Sequence, residues 1–235
     1  MGNDAHSALR GWSSISVQRC KSAGIVAIRR GFSMRMISAF TGVGGFDLGA
    51  LKVGIDVVGQ IEIDKNCQKV LRNRFPDVLL HDDIATATEW AEQNGLTGTI
   101  DLVAGGFPCQ DLSIAGRRAG LAGSRSGLFF DALRFTQEVG AHTLILENVP
   151  GLLSSNQGRD FAFLITTLAE SGLDHIEWRV LDSQFFGVPQ RRKRVFIVAT
   201  SRNRSGRAIL VEPKSLSRDS SQSQSQGQSS SDKMK

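Results

Sequence analysis

The sequence predicts an α/β fold built on an open, mostly parallel sheet. Three observations lead there. Short apolar runs bounded by turn formers alternate with helical segments. A glycine-rich turn, Thr41-Gly42-Val43-Gly44-Gly45, joins the first run to the first helix. Polar residues capable of chemistry recur just past the apolar runs, where an open α/β sheet binds its ligands.

The chain has 235 residues, 40% of them hydrophobic, enough for one domain with appendages. No run of about 18 apolar residues occurs, which excludes a helical integral membrane protein. Cys20, Cys67 and Cys109 are odd in number and widely spaced, which suits neither a disulfide framework nor a zinc site; no metal is expected, and a reducing, cytoplasmic setting is. The net charge of +5 resides in residues 1–36, where six basic residues face Asp4 alone, and the rest of the chain is balanced. Global charge is therefore no argument for DNA, and only local clusters can be.

Residues 1–33 are rich in Ser and Arg and show no clean period, so they are expected to be a poorly ordered extension ahead of a domain over 34–212. Met36-Ile37-Ser38-Ala39-Phe40 reads as the first strand, followed by the glycine turn and a helix to about Val53. Such a turn lets a ligand approach backbone amides at a helix start. A second strand, about Val57 to Ile63, ends in Glu62-Ile63-Asp64, roughly 20 residues past the glycines, where an acid can accept from ribose hydroxyls. A helix at about Lys65 to Phe75 and a short strand ending near His81-Asp82-Asp83-Ile84 come next.

Asp101-Leu102-Val103-Ala104 reads as a buried strand, and Gly105-Gly106-Phe107-Pro108-Cys109-Gln110 as the turn after it. The glycines are expected to permit unusual backbone angles and Pro108 to fix a torsion directly before the thiol. A long Gly-, Ser- and Arg-rich loop through Ser113, Arg117, Arg118 and Arg125 leads to a helix beginning at Gly127-Leu128-Phe129-Phe130. The strand Thr143-Leu144-Ile145-Leu146 delivers Glu147-Asn148-Val149-Pro150, so a partly buried acid reaches the same edge as Cys109. A helix at about Arg159 to Ser171 precedes strands at Glu177 to Leu181 and Val195 to Ala199. Between those lies Gln190-Arg191-Arg192-Lys193-Arg194, in which strand alternation aims Arg192 and Arg194 the same way. Residues 213–235 form a Ser/Gln-rich tail that cannot bury a core.

Taken in order, Phe40 with the glycine turn, Glu62, Asp83-Ile84, Pro108-Cys109-Gln110, Glu147-Asn148-Val149 and Gln190 to Arg194 resemble the successive motifs of the DNA (cytosine-5)-methyltransferases. The resemblance covers about residues 36–200. It implies a Rossmann-like, S-adenosylmethionine-dependent methyltransferase fold with helices on both faces of the sheet and an antiparallel terminal strand. It also implies the chemistry. Carbon 5 of cytosine is too poor a nucleophile to take a methyl group unaided, so a thiolate, Cys109, adds first to carbon 6. Glu147 then holds ring nitrogen 3, Arg192 holds the carbonyl oxygen of the base, and Arg194 stands beside it. For the cofactor the resemblance implies Phe40, Gly42, Gly44, Gly45, Glu62, Ile63, Asp83, Ile84, Pro108 and Leu128; for DNA it implies Gln110, Ser113, Arg125 and Gln190. The substrate that the resemblance implies is double-stranded DNA with its target cytosine flipped outward, because a duplex buries carbon 6.

In the family a target-recognition region and two further motifs follow the arginine run, whereas 35 residues follow Thr200 here. Asp82 and Ala115 replace an expected glycine and serine, and Ile63 replaces an aromatic. Four readings stay open: a catalytic subunit completed by a second chain that carries target recognition, an inactive remnant, a non-catalytic binding module, and an unrelated dinucleotide oxidoreductase. Cys109, Glu147 and Arg192 together argue against the third, and the Pro-Cys-Gln and Glu-Asn-Val elements against the fourth.

Overall fold

The computed structural model describes residues 17–19, 26–28, 33–107 and 127–201. Strands β1 (Val17–Arg19) and β2 (Val26–Ile28) pair antiparallel within the stretch expected to be an extension. The main sheet has seven strands: β3 (Arg35–Ala39), β4 (Asp56–Ile61), β5 (Leu79–His81), β6 (Leu102–Gly106), β7 (Thr143–Asn148), β8 (His175–Asp182) and β9 (Lys193–Thr200). Their spatial order is β5-β4-β3-β6-β7-β9-β8. All neighbouring pairs are parallel except those of β9, which runs antiparallel to both β7 and β8. The order reverses between β3 and β6, the switch point at which a doubly wound sheet opens a crevice for ligands.

Alternation along the strands divides the core in two. Ile37 and Ala39 face one side with Val103, Leu144, Leu146, Val195 and Ile197, where α3 (Ala87–Gln93), α4 (Leu128–Glu138) and α5 (Arg159–Glu170) pack. Met36, Val57, Leu102 and Ala104 face the other, under α1 (Gly45–Lys52). Helix α2 (Lys65–Arg74) starts on a cap, the Asp64 carboxylate accepting from the amides of Asn66 and Cys67. The expected elements are present with ends shifted by a residue or two, and α3 is an addition.

One local expectation is corrected. Gly105 and Gly106 belong to β6 rather than to a turn, and neither has a positive φ. Their reason is space. A Cβ on Gly105 would overlap the carbonyl oxygen of Ala39 on the neighbouring strand, and one on Gly106 would stand 2.7 Å from Glu147 Oε2. No described helix is long and apolar enough to cross a membrane.

Candidate active site

The carboxyl ends of β3 to β8 and the start of the reversed β9 share one edge of the sheet, and the site grows from it. Just past β3, Phe40 has φ 53, a left-handed conformation uncommon for a residue with a side chain and concentrated at functional sites. Gly42 (φ 59) and Gly44 (φ 89) continue the turn, and a Cβ on Gly44 would overlap the Phe75 ring. The turn is closed by Glu62, which follows β4 and is buried. Its Oε2 accepts from the Gly42 amide at 2.6 Å and its Oε1 from the Asp64 amide at 2.8 Å. A carboxylate oxygen has a second lone pair, so both remain able to accept from a ligand hydroxyl. Beside it the Ile63 side chain is 73% exposed.

At the next strand end Asp83 accepts from the Ala85 amide at 2.9 Å and caps a 3-10 turn over Ile84–Thr86. The Ile84 side chain is buried in the larger core, which leaves the backbone of this turn, rather than that side chain, for contact with a ligand. Leu128, the first residue of α4, is half-buried against the same core.

Beneath the glycine turn lies a buried polar cluster that nothing in the sequence announced. Asp47, in the first turn of α1, accepts from Ser38 Oγ of β3 at 3.0 Å and from Gln60 Nε2 of β4 at 2.8 Å. Thr41 Oγ1 donates to the Ser38 carbonyl at 2.9 Å. The helix start and both strands that carry the turn and Glu62 are thereby tied together. Burial pushes the Asp47 carboxyl up from its ordinary range, against the opposing pull of the hydrogen bonds from Gln60 and Ser38.

At the other side of the switch point β7 supplies Glu147 and Asn148. Glu147 Oε1 lies 2.7 Å from Arg194 Nε, each side chain being 22% exposed. Arg194 is the second residue of β9, and register brings it to this edge: Asn148 pairs with Val195, the residue after it. Arg192 stands just before β9 and is exposed, as is Gln190. The two arginines are thus separated in role, Arg194 holding the acid and Arg192 facing solvent. Asn148 is buried and donates from Nδ2 to the Phe107 carbonyl at 2.9 Å, fastening the end of β6 to β7. Pro108, Cys109, Gln110, Ser113 and Arg125 lie outside the described residues.

Residues 34–234 match the model of the C-5 cytosine-specific DNA methylases. The chain belongs to this family. It is 39% identical over 171 residues to the type II methyltransferase M2.BsuMI of Bacillus subtilis, a match covering 71% of this chain and 42% of that one. With M.AquIA of a Picosynechococcus species the identity is 35%, and 74% of each chain is covered. The chain spans about two fifths of the length of M2.BsuMI and M.Eco47II, and about three quarters of M.AquIA. Among solved structures, a DNA modification methyltransferase encoded within an E. coli prophage superposes with a TM-score of 0.59 at 25% identity, covering 73% of this chain and 47% of that one. The Spodoptera frugiperda DNMT2 structure matches with a TM-score of 0.56 at 19% identity over 76% of this chain and 54% of that one, a likeness of fold.

In this member of the family the described residues bring together two of the groups expected at the base, Glu147 and Arg194, and a cradle of Phe40, Gly42, Gly44 and Glu62 across the switch point. Sequence reasoning missed the Asp47 cluster and the Asn148 clasp. Asn148 stands inside the Glu-Asn-Val motif, but its partner lies 41 positions away and becomes visible only when β6 and β7 are paired.

Proposed function

We propose that this methylase transfers a methyl group from S-adenosylmethionine to carbon 5 of cytosine in double-stranded DNA, through a covalent adduct of Cys109. The observation that carries the proposal is the pairing of Glu147 with Arg194 on the sheet edge that also carries the Glu62 cradle. Cys109 is two residues beyond Phe107, whose carbonyl Asn148 holds.

The residues suit the cofactor. Glu62 retains acceptor capacity for ribose hydroxyls, the glycine turn offers backbone free of side chains, and the exposed Ile63 offers an apolar surface to a base. Bound S-adenosylmethionine supplies the methyl group as an electrophile. Phe40, Gly42, Gly44, Gly45, Asp83, the Ile84 backbone, Pro108 and Leu128 would complete its site.

On the substrate side, the Cys109 thiolate adds to carbon 6 of a flipped cytosine and raises electron density at carbon 5; once carbon 5 carries the methyl group it loses its proton to solvent and Cys109 leaves carbon 6, which restores the ring double bond and the free thiolate. Glu147, oriented by Arg194, donates to or holds ring nitrogen 3 as that density develops, and Arg192 binds the carbonyl oxygen of the base. Gln110, Ser113, Arg125 and Gln190 contact the DNA. The catalytic domain runs over 34–212 between a basic extension and a Ser/Gln-rich tail, and cysteine usage puts the protein in the cytoplasm.

The test is calorimetric titration of the full chain with S-adenosylmethionine, wild type against Glu62→Ala, followed by methyl transfer with Cys109→Ser. Binding weakened by the first substitution and transfer abolished by the second support the proposal. Wild-type turnover by Cys109→Ser overturns the covalent step.

A further inference from the structure

The loop between β8 and β9 carries Gln190, Arg191 and Arg192, and its base is fastened by two residues outside the arginine run. Asp182, the last residue of β8, is only 6% exposed, unusual for a carboxylate at a loop. Its Oδ1 accepts from the Arg192 amide at 3.1 Å and from the Gln184 amide at 3.3 Å, and its Oδ2 from Gln184 Nε2 at 2.9 Å. Ser183 adds two bonds. Its amide donates to the Arg192 carbonyl at 3.2 Å, and its Oγ donates to the Gln190 carbonyl at 2.5 Å.

The backbone of Arg192 is therefore held on both sides, N–H by Asp182 and C=O by Ser183, while its side chain stays exposed. Nothing apolar performs this task. Phe185, Phe186 and Val188 in the same loop are 58%, 54% and 46% exposed, so little burial holds the loop in shape. Its geometry depends on the hydrogen bonds at its base. Those bonds converge on the residues that precede Arg194, the partner of Glu147.

We infer that Asp182 and Ser183 are positioning residues that fix the Arg192 backbone, and so the origin of its side chain, beside the Glu147–Arg194 pair. The inference rests on the proposed role of Arg192 toward the base. A long side chain on a wandering backbone reaches its target only part of the time, and fixing the backbone removes that loss.

The test compares Asp182→Ala, Asp182→Asn and Arg192→Ala in the full chain. Two readouts are taken: amide hydrogen exchange across residues 183–193, and methyl transfer from S-adenosylmethionine to mixed-sequence duplex DNA with kcat and KM separated. Losing the carboxylate acceptor should speed exchange at the Arg192 amide about tenfold and lower kcat by a similar factor, with KM for S-adenosylmethionine unchanged. Asp182→Asn keeps an acceptor oxygen for the Arg192 amide and should restore both. Unchanged exchange at Arg192 in Asp182→Ala overturns the inference, as does unchanged kcat when Arg192→Ala is impaired. Wild-type kcat in Arg192→Ala would instead remove the role of Arg192 itself, and exchange would still decide whether Asp182 fixes that backbone.

Discussion

Arg194 Nε lies 2.7 Å from Glu147 Oε1, and the contact joins the start of a reversed strand to the end of a parallel one. An arginine fixed by its own strand holds the acid better than a loop residue could. At 22% exposure for each partner, the pair lies between surface and buried ion pairs, and Arg194→Ala should cost about 1–2 kcal/mol of stability by urea denaturation. Glu147→Gln keeps the shape and loses the charge. It should reduce methyl transfer by about 10²- to 10³-fold while leaving cofactor affinity unchanged, which calorimetry and a transfer assay read separately.

The neighbouring glycines of β6 should fail in different ways. A Cβ on Gly105 overlaps a backbone carbonyl that cannot retreat without disturbing the β3–β6 pairing, so Gly105→Ala should destabilise the fold by about 1–3 kcal/mol. Gly106→Ala meets the tip of a side chain instead, Glu147 Oε2 at 2.7 Å. It should cost little in thermal denaturation and much in turnover, because the carboxylate must move. Equal melting temperatures for the two variants would contradict this division.

Glu62 closes the glycine turn in the structure, and in the proposed function it also offers acceptors to S-adenosylmethionine. Glu62→Gln replaces one acceptor oxygen by a donor that must face an amide N–H at Gly42 or Asp64. It should therefore weaken S-adenosylmethionine binding by about 1–3 kcal/mol, and Glu62→Ala should do the same. An unchanged dissociation constant in either variant would remove Glu62 from the cofactor site.

What the sequence revealed was what local patterning can encode. Apolar runs locate the strands of the main sheet, and their ends place Phe40, Glu62 and Asp83 at one edge by pattern alone. Pairings across the sheet were not legible. Arg192 and Arg194 looked equivalent by alternation, yet β9 starts at Lys193, and the register of β9 on β7 gives Glu147 to Arg194. Gly105 and Gly106 looked like turn residues because nothing local marks the Ala39 carbonyl or the Glu147 carboxylate as their neighbours. Helix α3 offers only Ala87, Trp90 and Ala91 as an apolar stripe, too short to stand out. The Asp47 cluster is formed by residues from three elements that meet only after folding.

That cluster gives a prediction in pH. Burial raises the folded-state pKa of Asp47, so the folded chain holds this proton more tightly than the unfolded chain does. The site therefore favours folding while pH stays below the ordinary carboxyl value of about 3.9, and that contribution is lost as pH rises through the raised one. Asn at this position carries no ionisable proton. It keeps an oxygen that can accept from Gln60 Nε2 and presents an NH₂ to Ser38 Oγ, which can accept as well as donate. Compared with wild type, Asp47→Asn should thus gain stability as pH rises from about 4, by at most about 1.4 kcal/mol per pH unit, and level off above the raised pKa. Urea denaturation of both proteins from pH 4 to pH 8 measures the gap. Below that range the offset reports the exchanged hydrogen bond alone, while parallel curves throughout would mean that Asp47 ionises in the folded chain as it does in the unfolded one.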